Sequence, residues 1–147
     1  MEIAVLACGC FWGPEIKFSK LEGIYRTEVG YCGGNSSKTS YKEVCTGDTN
    51  HAEVVKLEFD PNKISYEKIL EFFFQIHDPT TLNSQGPDFG TQYRSEIFYL
   101  NDNQKNIAEE ITKKINKKLS GKVVTKISLL KNYCIAEEYH QKYLDKN

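Results

Sequence analysis

Five short runs rich in β-branched and aromatic residues, at 3–8, 25–31, 53–59, 96–100 and 123–130, recur along this chain, and each reads as a β-strand. Between them lie segments of helical pattern. Residues 14–21 open with Pro14, suited to a first helical turn. Residues 65–76 begin with Ser65 as an N-cap, with Lys68 three positions on in place of an acidic capping-box partner. Residues 102–119 place Ile107, Ile111, Ile115 and Leu119 on one apolar stripe, and residues 136–145 read as a short final helix. Strands alternating with helices restrict the fold to an α/β or α+β two-layer sandwich, although strand order and direction do not follow from the pattern. No repeat or Pro/Gly/Ser-rich linker divides the 147 residues, so 1–147 reads as one domain.

Charge removes several function classes. With 19 basic and 20 acidic residues the net charge is -1, which leaves no electrostatic footprint for nucleic acid or an anionic membrane. The run 3–8 follows Met1 without a basic leader and is too short for a signal h-region or a membrane span, so a soluble, cytoplasmic protein is expected. The five cysteines, Cys8, Cys10, Cys32, Cys45 and Cys134, are an odd number, and a chain of this length needs no disulfide staples. Reduced thiols fit best.

Cys10 stands apart from the others. It lies in Gly9-Cys10-Phe11-Trp12-Gly13-Pro14-Glu15, after an apolar strand and before a helix start. Backbone N–H groups at a helix N-terminus favour a thiolate, so a lowered pKa and a nucleophilic role are expected, with Phe11 and Trp12 walling an apolar pocket. A thiolate that attacks an electrophile gains from a proton donor. Glu53 begins the apolar run Val54-Val55-Lys56-Leu57, where burial would raise its pKa and keep it protonated. Two long polar segments, 33–50 and 78–95, supply further candidates. The first carries Tyr41 and Cys45 one helical turn apart; the second carries Asp88, suited to an Asx turn or a substrate N–H, and Tyr93. A Cys10/His51 pair would instead mean hydrolase or acyl-transfer chemistry. Zinc is disfavoured because the cysteine spacing matches no Cys-x2-Cys ribbon, and His51, His77 and His140 read as satisfied structural residues.

Six segments in order carry a resemblance: Gly9-Cys10-Phe11-Trp12-Gly13, Gly30-Tyr31-Cys32-Gly33-Gly34, His51-Ala52-Glu53-Val54-Val55, His77-Asp78-Pro79-Thr80, the stretch 85–95, and Ala136-Glu137-Glu138-Tyr139-His140-Gln141. Together they span nearly the whole chain, which resembles the peptide-methionine (S)-sulfoxide reductases, the methionine sulfoxide reductase A family. The resemblance implies an α+β two-layer sandwich with a mixed sheet flanked by helices around a ferredoxin-like core. It implies Cys10 as the nucleophile on the sulfoxide sulfur and Glu53 as the acid for its oxygen. By the same resemblance Phe11 and Trp12 receive the substrate methyl, Tyr41 and Tyr93 bond the oxygen, and Asp88 positions the substrate backbone. No cofactor or metal is implied, and the chain is expected to act as a monomer on free or protein-bound methionine sulfoxide. Thioredoxin, or glutaredoxin with glutathione, is the expected reductant.

Three departures from the family pattern stand out. Asn50 precedes His51 where glycine is usual, and Pro14 follows Gly13 where a small or aliphatic residue is common. Many relatives also continue into a glycine-rich tail with resolving cysteines, whereas this sequence ends at Asn147. Cys8, Cys32 and Cys134 are weak candidates for that role, so recycling of the sulfenic acid by an external thiol is expected. The competing reading is a noncatalytic thiol-bearing interaction or redox-sensing module on the same fold.

Overall fold

The computed structural model describes residues 1–146. Its strands are β1 (Glu2–Cys8), β2 (Ile24–Cys32), β3 (Ala52–Phe59), β4 (Ser84–Gln85), β5 (Asp88–Phe89), β6 (Ser95–Tyr99), β7 (Lys126–Leu129) and β8 (Cys134–Ile135). Its α-helices are α1 (Trp12–Ser19), α2 (Tyr41–Val44), α3 (Tyr66–Gln75), α4 (Asp102–Lys118) and α5 (Tyr143–Lys146). Six strands form one sheet in the order β7-β6-β1-β3-β2-β8, and β4 pairs with β5 in a separate hairpin. The central order β6-β1-β3-β2, antiparallel throughout and built from β1-α1-β2-β3-α3-β6, is the split βαβ arrangement of a ferredoxin-like core. The parallel pair β6–β7 makes the sheet mixed.

Alternation along the strands assigns the two faces. Ala4, Leu6 and Cys8 of β1, Val29 and Tyr31 of β2, and Val55, Leu57 and Phe59 of β3 pack against Phe18 of α1, Ile69, Leu70 and Phe73 of α3, and Ala108 and Ile111 of α4. Val5, Ala7, Cys32, Ala52, Val54 and Phe98 face the other way, under Leu130 and Tyr133. The helices therefore occupy one layer and the sheet the other.

Helix boundaries follow their caps. The Ser65 side chain accepts from Lys68 N–H and Asn101 accepts from Gln104 N–H, opening α3 and α4. Helix α1 starts two residues before the expected Pro14, so Pro14 falls inside the first turn, where a missing N–H costs no intrahelical bond. Two expected elements differ. The strand expected at 123–130 is confined to β7, and the helix expected at 136–145 is two short pieces, a turn of 3-10 helix at Glu138–His140 and α5. The break falls at Lys142, whose φ of 51° is left-handed. Tertiary bonds hold it there: Lys142 N–H donates to Glu15 Oε1 at 2.7 Å, and the Gln141 amide takes both backbone groups of Val29 at 2.9 Å.

Register brings the chemistry to one end of the sheet. Cys8 pairs with Ser95, and Tyr31 pairs with Glu53, so the chain leaves β1 at Gly9-Cys10 beside the start of β3 and the turn entering β6.

Candidate active site

Glu53 occupies the same row of β3 as Val55 and Leu57, the row that faces the helices, and is only 1% exposed. That placement carries its carboxyl under the chain between β1 and α1. Oε1 accepts from the backbone N–H of Phe11, the residue after Cys10, at 3.2 Å, while Oε2 is buried without a partner. Burial, only partly offset by the Phe11 N–H and reinforced by the charge of Asp88, pushes the Glu53 pKa up to about 8. At neutral pH it is a carboxylic acid.

Cys10 is partly exposed. The expected lowering of its pKa is not found: burial above all, opposed by a hydrogen bond from Trp12 N–H and joined by the charges of Glu53 and Asp88, raises it to about 11. Because α1 begins at Trp12, Cys10 lies ahead of the N-cap Phe11, and desolvation outweighs the helix terminus.

Tyr93 and Tyr41 flank this pair. Tyr93 ends a turn of 3-10 helix, Thr91–Tyr93, and lies within electrostatic reach of Glu53, Cys45, Asp88 and Cys10; burial raises its pKa to about 12. Burial also raises Tyr41, whose backbone N–H donates to Glu137 Oε2 at 2.9 Å. Both phenols remain O–H donors. Asp88 sits in the β4–β5 hairpin, which presses on Gly9: a Cβ there would meet Gln85 Cγ at 2.7 Å, and Gly9 has φ 95°. Glycine at position 9 therefore permits the hairpin's approach.

The two aromatics differ in placement. Phe11 is buried in the core against Tyr31 and His140, with ring centroids at 5.7 and 5.2 Å. Trp12 is half-buried, stacks on Tyr143 at 3.9 Å, and donates its indole N–H to His140 Nδ1 at 3.1 Å.

His140, read from the sequence as a satisfied structural residue, is contrary to that expectation only half satisfied. Its ring lies among Phe11, Trp12, Tyr41 and Tyr139, and the bond from Trp12 fixes the remaining N–H on Nε2, which is buried and unpartnered. Burial lowers its pKa, so it is a neutral imidazole. Glu137 was also missed; it joins Tyr31 O–H at 2.8 Å to Tyr41 N–H. The sequence signal was present in the segment 136–141, but its contact with α1 is a long-range event. His77 has both ring nitrogens bonded, to Phe73 O and Ser95 Oγ, whereas His51 is bonded only through Nε2 to Ser36 O and, contrary to expectation, leaves Nδ1 unpartnered.

The remaining thiols are dispersed. Cys8 is buried in the helix-side core, with burial raising its pKa to about 12. Cys32 faces the opposite side of the sheet and donates to Lys131 O at 3.2 Å, and Cys134 approaches Thr39 O at 3.6 Å. Cys45 is exposed. Among the described residues no three or more His, Cys, Asp or Glu side chains are grouped to hold a metal ion, and no helix is long and apolar enough to cross a membrane. A groove of about 440 Å³ between α3 and α4, lined by Phe74, Ile111 and Lys114, lies away from these groups.

A buried acid bonded to the backbone beside a thiol, with two phenols at its side, suits attack by sulfur on a centre whose oxygen must be protonated. The comparisons agree. The family model described as peptide methionine sulfoxide reductase matches residues 2–147. A peptide methionine sulfoxide reductase MsrA of Pelagibacter ubique (strain HTCC1062) is 80% identical over 146 residues, covering 99% of each chain. The crystal structure of Mxr1 from Saccharomyces cerevisiae in reduced form superposes with a TM-score of 0.95 at 46% identity, covering 99% of this chain and 85% of that one. Mxr1 in complex with Trx2 matches with a TM-score of 0.69 at 28% identity, covering 97% and 84%. The residues gathered around Cys10 and the match along the whole sheet and its helices place this chain in the peptide methionine sulfoxide reductase family.

Proposed function

We infer that this chain reduces methionine-S-sulfoxide, free or in proteins, to methionine, with Cys10 as nucleophile and Glu53 as general acid. The observation that carries the assignment of roles is the Glu53 carboxyl held at the Phe11 N–H with its other oxygen unpartnered. Sulfur of Cys10 attacks the sulfoxide sulfur while Glu53 delivers a proton to the oxygen, a poor leaving group unless protonated. Tyr41 and Tyr93 donate hydrogen bonds where charge develops on that oxygen. The hydroxyl then passes to the Cys10 sulfur as its bond to the substrate sulfur breaks, the bond between the two sulfurs breaks with it, methionine leaves, and Cys10 is left as the sulfenic acid. The proton lost by the thiol balances the one gained by oxygen, so Glu53 returns to its starting state. Trp12 and Phe11 form the apolar wall for the substrate methyl, and Asp88 holds the backbone N–H of the substrate.

A thiol reductant restores Cys10. The solved complex of Mxr1 with Trx2 supports a thioredoxin-class dithiol, and glutaredoxin with glutathione is the alternative. Reductants of this kind suit a cytoplasmic enzyme, acting as a monomer within the single domain 1–147.

The test is single-turnover release of methionine from each sulfoxide epimer in the absence of reductant. One methionine per enzyme from the S epimer, lost in Cys10→Ser, is expected. Equal release from both epimers, or release by Cys10→Ser, would overturn the assignment.

A further inference from the structure

Glu137 is half-buried where the chain leaves β8, and the backbone on either side of it is tied to β2. Before it, Gly30 pairs with Ile135 and Tyr31 with Cys134, and Ala136 N–H donates to Val29 O at 3.0 Å. After it, the Glu137 carbonyl accepts from His140 N–H at 3.0 Å, and the Gln141 amide takes both backbone groups of Val29. From this fixed point the carboxylate joins two parts of the site: Oε1 accepts from the Tyr31 hydroxyl at 2.8 Å and Oε2 from the Tyr41 N–H at 2.9 Å. Tyr31 pairs with Glu53 across β2 and β3 and packs on Phe11, whose N–H holds the Glu53 carboxyl. Tyr41 opens α2, and its ring packs at 4.6 Å on His140, the imidazole that takes the Trp12 indole N–H. The N–H of a first helical residue has no partner within its own helix, and the Ser40 cap reaches Glu43 N–H instead. Glu137 supplies the partner that Tyr41 lacks locally.

We propose that Glu137 is a positioning residue for sulfoxide reduction, fixing Tyr41 relative to Glu53 so that the phenol meets the sulfoxide oxygen as Glu53 protonates it. The proposal rests on the sulfoxide reductase reading above. A helix of one turn does not hold its own shape in water, so the place of its first side chain is set by tertiary bonds. The bond to Glu137 is such a tie, and it runs to a residue seated on the sheet rather than to another part of the polar segment 33–50. The second oxygen of the same carboxylate is held by Tyr31, the cross-strand neighbour of Glu53, so the acid and the phenol are referred to one fixed point. Glu137 acts through Tyr41 and exchanges no proton with the substrate. Its effect is therefore on the alignment of a donor, where an error of about 1 Å costs up to about 10²-fold in rate.

The experiment measures single-turnover methionine release against the concentration of methionine-S-sulfoxide, without reductant, in the parent, Glu137→Ala, Glu137→Gln, Tyr41→Phe and the Glu137→Ala, Tyr41→Phe double variant, with hydrogen exchange at the Tyr41 amide followed by NMR. Glu137→Ala is expected to lower the saturating rate by about 10–100-fold, to leave the half-saturating concentration within about twofold of the parent's, and to remove protection of the Tyr41 amide. Glu137→Gln should bring the rate back to within about threefold of the parent's, because its amide oxygen accepts from Tyr41 N–H while its amide nitrogen donates to the Tyr31 oxygen. In the Tyr41→Phe background the alanine substitution should cost less than about threefold, since the hydroxyl it positions is already gone. An alanine variant at the parental rate, a glutamine variant as slow as alanine, or equal losses in the two backgrounds would overturn the proposal, equal losses being what a purely structural role gives. Absence of methionine release by the parent would instead sink the reductase reading. Exchange at the Tyr41 amide decides separately whether Glu137 holds α2, and protection unchanged in Glu137→Ala would overturn that.

Discussion

Replacing Glu53 with glutamine keeps the side chain's size and its bond to Phe11 N–H but removes the transferable proton. The two pKa values set the size of the effect at each pH. With Glu53 near 8 and Cys10 near 11, at pH 7 about nine-tenths of Glu53 is neutral, while Cys10 is ionised in only about one molecule in 10⁴. The reactive microstate needs a neutral Glu53 and an ionised Cys10 together. Its population rises about tenfold per pH unit up to about pH 8 and then levels, because each further gain in thiolate is matched by an equal loss of neutral carboxyl.

In Glu53→Gln the chemical step at pH 7 is expected to fall by about 10²–10⁴-fold. The amide does not titrate, so the variant's rate keeps climbing with unit slope through pH 8 and the deficit narrows by about tenfold per unit above it. Rapid-quench single-turnover release of methionine across about pH 6 to pH 10, with far-UV circular dichroism as a check on folding, measures both curves. Substrate that buries the pair more deeply moves the break in the parent but leaves the variant without one. Parallel curves, both levelling near pH 8, would refute the reasoning, because the group that limits the parent would then not be Glu53.

Much of the fold was legible because its strands are short β-branched runs and its two longer helices have strong caps and stripes: β1, β2, β3 and β6 fall within about a residue or two of the expected runs. What failed was set by distant partners. Nothing local in residues 136–145 announces that Lys142 will bond Glu15, or Gln141 the backbone of Val29, and those bonds break the helix the pattern favours. The site divides in the same way. Cys10 and Glu53 were readable as a thiol after a strand and a carboxyl starting an apolar run, but the Cys10 pKa was misjudged because α1 begins after it and burial dominates. His140 and Glu137 were hidden because their importance depends on a packing of the C-terminal segment on Trp12 and Tyr41 that no periodicity encodes. Asn50 shows the reverse: its φ of 59° explains a usual glycine there and why asparagine, tolerant of that region, can replace it.

Cys10→Ser is expected to lose methionine release entirely while melting like the parent, checked by single-turnover assay and calorimetry, because an alcohol supplies almost no anion at neutral pH. Trp12→Phe removes the indole N–H donor to His140 and should raise KM for methionine sulfoxide by roughly tenfold, the value of one lost hydrogen bond in a semi-buried site, with a smaller effect on kcat. Gly34→Ala drives a Cβ into the ring of the buried His51 and should cost at least about 1–3 kcal/mol in urea unfolding. The pH dependence of stability should also separate Glu53 from His77. Glu53 has its folded pKa raised to about 8 from 4.5, so its contribution is fully present below about 4.5 and is lost as pH rises through about 8, on the order of 5 kcal/mol in all. His77 is depressed by burial to about 4 from 6.5; its contribution is present above 6.5 and lost as pH falls toward 4, on the order of 3 kcal/mol. Between pH 4.5 and 6.5 the two slopes oppose each other, with the depressed His51 and His140 adding to the histidine side. The histidine contributions are common to Glu53→Gln, so the parent's unfolding free energy in urea minus the variant's should fall by about 1.4 kcal/mol per pH unit from about 4.5 to about 8. Parent and variant curves of the same shape would show that Glu53 does not hold an extra proton in the folded protein, and the acid role would fall with it.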